Sequence, residues 1–281
     1  MDAFRQGMRE RNYIERQDFA IEYRSADGRS ERYPQLAAEL VRLNVDLIVT
    51  RATPSAIAAR NATAAIPIVM AASGDPLGTG LIASLARPGG NVTGLSGFTT
   101  DLIAKRVEIL REAIPGVKRI GFMHNFSNPV VPPQWNEFKA AAAVLGFEPL
   151  MFDIRSPDDV ARIFESAVAQ RTDAIVVGND TVINVNLRQF IELAARHRLP
   201  ATYLAREFVD AGGLMMYGVN YPDLYRRAAT FVDKIFKGAN PADLPIEQPV
   251  KFDLIVNLKA ARALGLVIPA TFLTRVDEVI E

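Results

Sequence analysis

Asp75 stands in the run ASGDPLGTG (72–80), a glycine-rich turn between the apolar stretch IPIVMA (66–71) and the stretch LIASLA (81–86), which reads as a helix. A turn of this kind between a strand and a helix often holds phosphate, and that chemistry is the first to test. A P-loop needs Lys-Ser/Thr after its last glycine, whereas Gly80 is followed by Leu81 and Ile82. A dinucleotide fingerprint needs G-x-G-x-x-G at the start of the helix, and the spacing here is different. Asp75 also puts a carboxylate where an anion would sit. A carboxylate suits a cation, such as the ammonium of an amino acid, or the hydroxyls of a sugar. The competing role for Asp75 is to cap the helix that follows, with Pro76 at its start.

Other chemistries find little support. The two histidines, His124 and His197, are far apart and have no paired-ligand spacing, so no metal site is expected. There is no cysteine, which excludes thiol catalysis, thiolate metal sites and disulfides. No G-x-S-x-G elbow occurs, and the Glu207/Asp210 spacing is common on helices. No catalytic residues and no cofactor are expected. What remains is a set of polar and aromatic residues at the C-terminal ends of apolar runs. In the first half these are Thr53, Pro54, Ser55, Ser73 and Asp75. In the second they are Asn125, Phe126, Ser127, Asn179, Asp180, Thr181, Tyr203 and Glu207, with Tyr217 further on. Ligands of open α/β sheets bind at that edge. Carboxylates in both halves favour a ligand with an amine, and Phe126, Tyr203 and Tyr217 allow an aromatic one. Each aromatic taken singly is at least as well explained as core. An amino acid is the first expectation and an aromatic carboxylate or other small metabolite the second.

The elements that must position these residues are strands and helices in alternation. VDLIVT (45–50), IPIVMA (66–71), RIGFMH (119–124), DAIVVG (173–178) and PATYLA (200–205) are short, continuous and rich in β-branched residues, as parallel strands covered on both faces require. Helical faces fall between them, one formed by Val160, Ile163, Phe164, Ala167 and Val168, another by Leu187, Phe190, Ile191 and Ala194, a third by Trp135, Phe138, Ala142 and Leu145. Ser156 before Pro157 predicts an N-cap. The order repeats: DLIVT matches DAIVV, IPIVM matches LPATY, and DFAIEYR (18–24) takes the place of GFEPLMFDI (146–154). The match fits either two similar doubly wound lobes or the general likeness of βα series. Against the second lobe, the first lacks an opening strand before its first helix, so a missing first strand is expected. GGLMMYGV (212–219) and PVKFDLIVN (249–257) are further strands outside the simple series.

Composition sets the outer bounds. The chain has 281 residues, 49% of them hydrophobic, with 32 Lys and Arg balanced by 32 Asp and Glu. That length holds one large domain or two lobes. Nucleic-acid binders usually carry a basic excess, which is absent. No apolar run reaches the ~18 residues of a membrane span, and MDAFRQGMRERN has no apolar signal core.

Several stretches together resemble the solute-binding proteins of ABC importers, and among them the group related to tryptophan- and tyrosine-binding lipoproteins. They are AFRQGMRERNYIE, AAIPIVMAASGDPLGTGLIASLARPGGNVTGLS, KRVEILREAIPGVKRIGFMHNFSNP, AREFVDAGGLMMYGVNYPDLYRRAATFVDKIFKGANPADLPIEQP and KFDLIVNLKAARALGLVIP, and they span nearly the whole chain. The resemblance implies the type I periplasmic-binding fold: α/β, two doubly wound Rossmann-like lobes joined by a three-strand hinge, with crossings near 93–98, 213–219 and 249–257. The lobes would be 1–96 with 219–248, and 97–218 with 249–281. It implies capture of a small molecule by hinge closure, ABC permease and ATPase subunits as partners, no nucleic acid, contact with the membrane only through the permease, and a periplasmic or lipid-anchored location. A LacI-type repressor core is the alternative fold relative, and a ligand sensor or, less well supported, a cytosolic enzyme is the alternative function.

Overall fold

The computed structural model describes residues 1–281. In chain order the elements are α1 (Asp2–Arg9), α2 (Tyr33–Arg42), β1 (Ile48–Thr50), α3 (Thr53–Ala62), β2 (Ile68–Ser73), β3 (Val92–Ser96), α4 (Leu102–Ala113), β4 (Arg119–His124), α5 (Val131–Leu145), β5 (Glu148–Asp153), α6 (Asp159–Ala169), β6 (Ala174–Val177), α7 (Thr181–Val185), α8 (Leu187–Arg196), β7 (Ala201–Tyr203), α9 (Arg206–Asp210), β8 (Met215–Gly218), α10 (Tyr221–Phe236), β9 (Asp253–Asn257), α11 (Leu258–Ala263), α12 (Ala270–Leu273) and β10 (Glu278–Ile280). They form two compact units. Unit 1 is 1–98 with 220–250, and unit 2 is 99–219 with 251–281. The chain therefore passes between units after β3, after β8 and before β9.

Unit 1 holds a three-stranded sheet in the order β1-β2-β3, with both pairings parallel. Its strands are buried apolar runs. Ile48, Ile68, Met70 and Val92 share one core with Leu81, Ile82 and Ile246. β2 and β3 approach very closely at Gly94. It has φ +127°, and a Cβ there would lie 2.2 Å from the Met70 carbonyl oxygen. α10 returns to this unit late in the chain and packs along α1. Gly7 permits that approach, because a Cβ would meet the Arg226 carbonyl oxygen at 2.2 Å. The Tyr13 hydroxyl reaches Asp233 Oδ1 at 3.1 Å.

Unit 2 holds a seven-stranded sheet in the order β10-β9-β8-β7-β6-β4-β5, parallel except between β8 and β9. β6 and β7 pair in parallel, as β1 and β2 do in unit 1, which fits both readings of the repeat DLIVT/DAIVV and IPIVM/LPATY. One face of the sheet packs on α4 and α5 through Phe122, Phe138, Val176, Met215 and Val256. Proline in the first turn starts α5, and Gly146 in the left-handed conformation (φ 68°) ends it. Asn220 and Asn257 cap α10 and α11 through the N–H groups of Asp223 and Ala260.

Three local expectations are corrected. LIASLA is not a helix. Pro76 O accepts the N–H groups of both Leu81 and Ile82, Gly80 turns at φ +66°, and the apolar side chains of Leu81 and Ile82 enter the core from a turn. DFAIEYR alternates as a strand should, but it has no ladder partner apart from one isolated bridge, Glu15 to Phe19, and a strand exists only through pairing. Ser156 does not cap α6 by accepting. Its N–H and hydroxyl both donate to Asp159 Oδ2, and the helix starts at Asp159.

Candidate functional site

Each unit presents a cluster of polar side chains where its parallel strands end. In unit 1 the cluster is built on the turn from β1 into α3 and on the end of β2. Thr53, 2% exposed, holds the two together. Its Oγ1 lies 2.8 Å from Ser73 Oγ and accepts the Gly74 N–H at 3.0 Å. Pro54 follows in the first turn of α3, and Ser55 Oγ exchanges hydrogen bonds with the Ala52 backbone. Asp75 is half-buried. Its Oδ1 accepts the Gly78 N–H at 2.8 Å, and Oδ2 takes no hydrogen bond within the protein. Asp75 therefore caps a turn, while one oxygen stays available.

In unit 2 the cluster sits at the ends of β4, β6 and β7. Asp180, 5% exposed, caps α7 and accepts from Asn125 Nδ2 at 3.0 Å, Asn128 Nδ2 at 2.8 Å and Val182 N–H at 3.1 Å. Asn125 is itself buried, and its Oδ1 accepts from the N–H and hydroxyl of Ser127. Phe126 is half-buried, edge-on to Phe122 and Trp135, and its N–H donates to Asp153 Oδ1 at 2.9 Å. Asn179 Oδ1 accepts from Asn184. Tyr203 is 1% exposed and stacked on Phe208 at 4.7 Å, and burial pushes its hydroxyl pKa up. It lies inside the unit behind the edge. Glu207 is exposed in the first turn of α9. Tyr217 is half-buried beside Phe252 at 5.9 Å. Asn125 and Asp180 are thus joined in one hydrogen-bonded network, the adjoining Phe126 is tied separately to Asp153, and Tyr203, Glu207 and Tyr217 lie outside that network.

Two residues of this edge escaped sequence reasoning. Asn128 completes the Asp180 network. Arg106, on α4, is fully buried and its Nη2 donates to Val177 O and Thr202 O, both at 2.8 Å, at the ends of β6 and β7. In LIAKRVEILREA its charge suggests a surface cation, whereas its spacing from Ile103, Leu110 and Ala113 puts it on the buried face of the helix, and that spacing is the signal that could have found it. Near it, His124 ends β4, stacked on Phe122 at 3.5 Å, with neither ring nitrogen hydrogen-bonded. Burial first and the Arg106 charge second hold its pKa well below the ordinary histidine value, so it is a neutral ring at pH 7. No nucleophile–base pair is assembled at either edge. Hydroxyls, amides, one open carboxylate oxygen and half-buried rings can bind a small polar molecule.

The profile of the family described as ABC transporter substrate binding protein matches residues 1–280. This chain belongs to that family. Among relatives of this substrate binding protein, a tyrosine-binding protein of Clostridioides difficile (strain R20291) is 27% identical over 264 residues, 94% of this chain and 76% of the relative. A solved ABC domain in complex with L-Trp from Streptococcus pneumonia is 29% identical, covers 99% of this chain and 94% of that chain, and has a TM-score of 0.90. A conserved domain protein of Vibrio cholerae O1 biovar El Tor is 30% identical, with the same coverage and a TM-score of 0.92. The fold of the substrate binding protein is the type I periplasmic-binding fold expected from its motifs. No helix is long and apolar enough to cross a membrane.

Proposed function

We propose that this substrate binding protein is the solute-capturing component of an ABC importer and that its solute is an amino acid with an aromatic side chain. Residues of both units hold the solute, and one unit closes on the other around it. Only a ligand that engages both units can drive closure, because only differential affinity shifts a conformational equilibrium. The solute leaves unchanged. The partners are a permease and its ATPase, and the working location is outside the cytoplasmic membrane, periplasmic or lipid-anchored.

The observation that carries the solute class is Asp75 beside the start of α3. Its open oxygen suits an ammonium. The backbone N–H groups and hydroxyls at the N-terminus of α3, around Thr53 and Ser55, suit a carboxylate. An amino acid carries both groups on one carbon. From unit 2, the half-buried rings of Phe126 and Tyr217 offer apolar surface to a side chain. The ligands named for the Clostridioides and Streptococcus relatives, tyrosine and L-Trp, support the same class.

A thermal-shift and calorimetry screen with L-tyrosine, L-tryptophan, other amino acids and sugars tests this. A true ligand at a hundredfold its Kd adds about 2.7 kcal/mol of stability. The expected result is a shift with an aromatic amino acid that is strongly reduced in Asp75→Asn. A shift with sugars alone, or full affinity in Asp75→Asn, would sink the reading.

A further inference from the structure

Asp180 is the most deeply buried carboxylate at either edge, and its hydrogen bonds fix what its neighbours can do. An ionised carboxylate only accepts hydrogen bonds. Asn125 and Asn128 must therefore both turn their amide nitrogens toward it, at 3.0 and 2.8 Å. Their oxygens then have no choice of direction. Asn125 Oδ1 faces Ser127, taking its N–H at 3.0 Å and its hydroxyl at 2.5 Å, and Asn128 Oδ1 takes the Val130 N–H at 3.3 Å. One charge at the start of α7 thus sets two amide orientations and, through them, the 125–130 loop that carries Phe126 and Ser127. Three donors already engage Asp180, two on Oδ1 and one on Oδ2, and with only 5% of the residue exposed little of the carboxylate is open to an ammonium.

We propose that Asp180 is a positioning residue that holds the 125–130 loop in its binding geometry, and that it does not contact the charged group of the solute. This rests on the solute-capture reading above. The two alternatives respond differently to an exchange of amide and carboxylate. In Asp180→Asn alone, an NH2 group is set against the NH2 of Asn125 or Asn128. In the double variant Asp180→Asn/Asn128→Asp, the new amide accepts from Asn125 and Val182 through its oxygen. Its nitrogen donates to the carboxylate introduced at 128, which still accepts from Val130. Every hydrogen bond is restored, while the charge has left position 180.

The experiment measures hydrogen–deuterium exchange of segment 125–130 without ligand, and affinity for L-tyrosine and L-tryptophan, in the wild type and both variants. In Asp180→Asn the segment exchanges faster and affinity falls by roughly tenfold or more, the equivalent of one lost buried hydrogen bond. In the double variant, protection returns and affinity comes back to within about threefold of wild type, well inside that tenfold step. Restored protection without restored affinity means that Asp180 touches the solute, and overturns the proposal. So does wild-type affinity or unchanged exchange in Asp180→Asn. If the wild type binds neither amino acid, the solute reading fails, and the exchange comparison alone still upholds or refutes the tether.

Discussion

Replacing Arg106 by methionine is the sharpest test of how the edge of unit 2 is held. The guanidinium joins α4 to the ends of two strands through hydrogen bonds of 2.8 Å to Val177 O and Thr202 O. Hydrogen bonds from a charged donor contribute about 1.5–3 kcal/mol each, so the pair is worth roughly 3–6 kcal/mol. Methionine fills much of the same volume and removes the cost of burying a cation, which offsets part of that loss. A net destabilisation of about 3 kcal/mol is expected, lowering Tm by roughly 6–12 °C for units of this size. Arg106→Lys keeps the charge but loses the planar fork, and should fall between wild type and Arg106→Met. Calorimetric melting with reversibility checks reads the effect. The two strand ends lead directly into Asp180 and Tyr203, so solute affinity should fall along with Tm. A variant Arg106→Met as stable as the wild type, or more stable, would show that the buried cation is a net burden and that packing alone holds the strand ends.

Other consequences are open to direct measurement. Burial and Arg106 hold the His124 pKa below its unfolded value of about 6.5, so the neutral ring favours the folded state at pH 7. That contribution is complete above pH 6.5 and is lost as pH falls toward the depressed folded value. Tm should therefore drop on acidification below 6.5, and less steeply in His124→Phe; equal slopes in melts at pH 5–8 would remove His124 from the account. Gly94→Ala sets a Cβ 2.2 Å from the Met70 carbonyl oxygen at a positive φ, and should cost about 3 kcal/mol or more, measured by urea unfolding. Thr53→Val deletes the acceptor for Gly74 N–H and the partner of Ser73 Oγ in a buried position, with an expected loss of about 2 kcal/mol and weakened solute binding.

Continuous apolar runs made most of the strands legible, because parallel strands buried on both faces have no alternation to disguise. IPIVMA and RIGFMH lie where their composition puts them. LIASLA resembles a helix because burial and helical periodicity coincide over so short a stretch. Leu81 and Ile82 do enter the core, but the stretch folds back on itself, with the Ala83 N–H donating to Pro88 O and Leu85 O accepting the Ile246 N–H, so no helical ladder forms. DFAIEYR failed for a different reason: alternation shows that a segment can pair, and says nothing about whether a partner is there. At the site, residue type and placement at strand ends were readable, whereas satisfaction was not. Nothing near GND (178–180) discloses that the carboxylate is already engaged by amides more than fifty residues earlier. Residue type disguises Arg106 and spacing reveals it: unlike Lys105, Glu108 and Arg111, it shares the helical face of Ile103, Val107, Leu110 and Ala113.

The interrupted make-up of unit 1 has a consequence for how the chain is born. Tyr13 meets Asp233, 220 positions later, and the buried face of α1, with Phe4 and Met8, is covered only when α10 arrives. At a synthesis rate of 5–20 residues per second that wait is about 11–44 s. Throughout it the apolar side of α1 has no place to dock, while residues 99–219 of unit 2 are already made. Unit 1 is therefore begun before unit 2 but can close only when its own return segment, 220–250, has followed the bulk of unit 2, and 251–281 then completes unit 2.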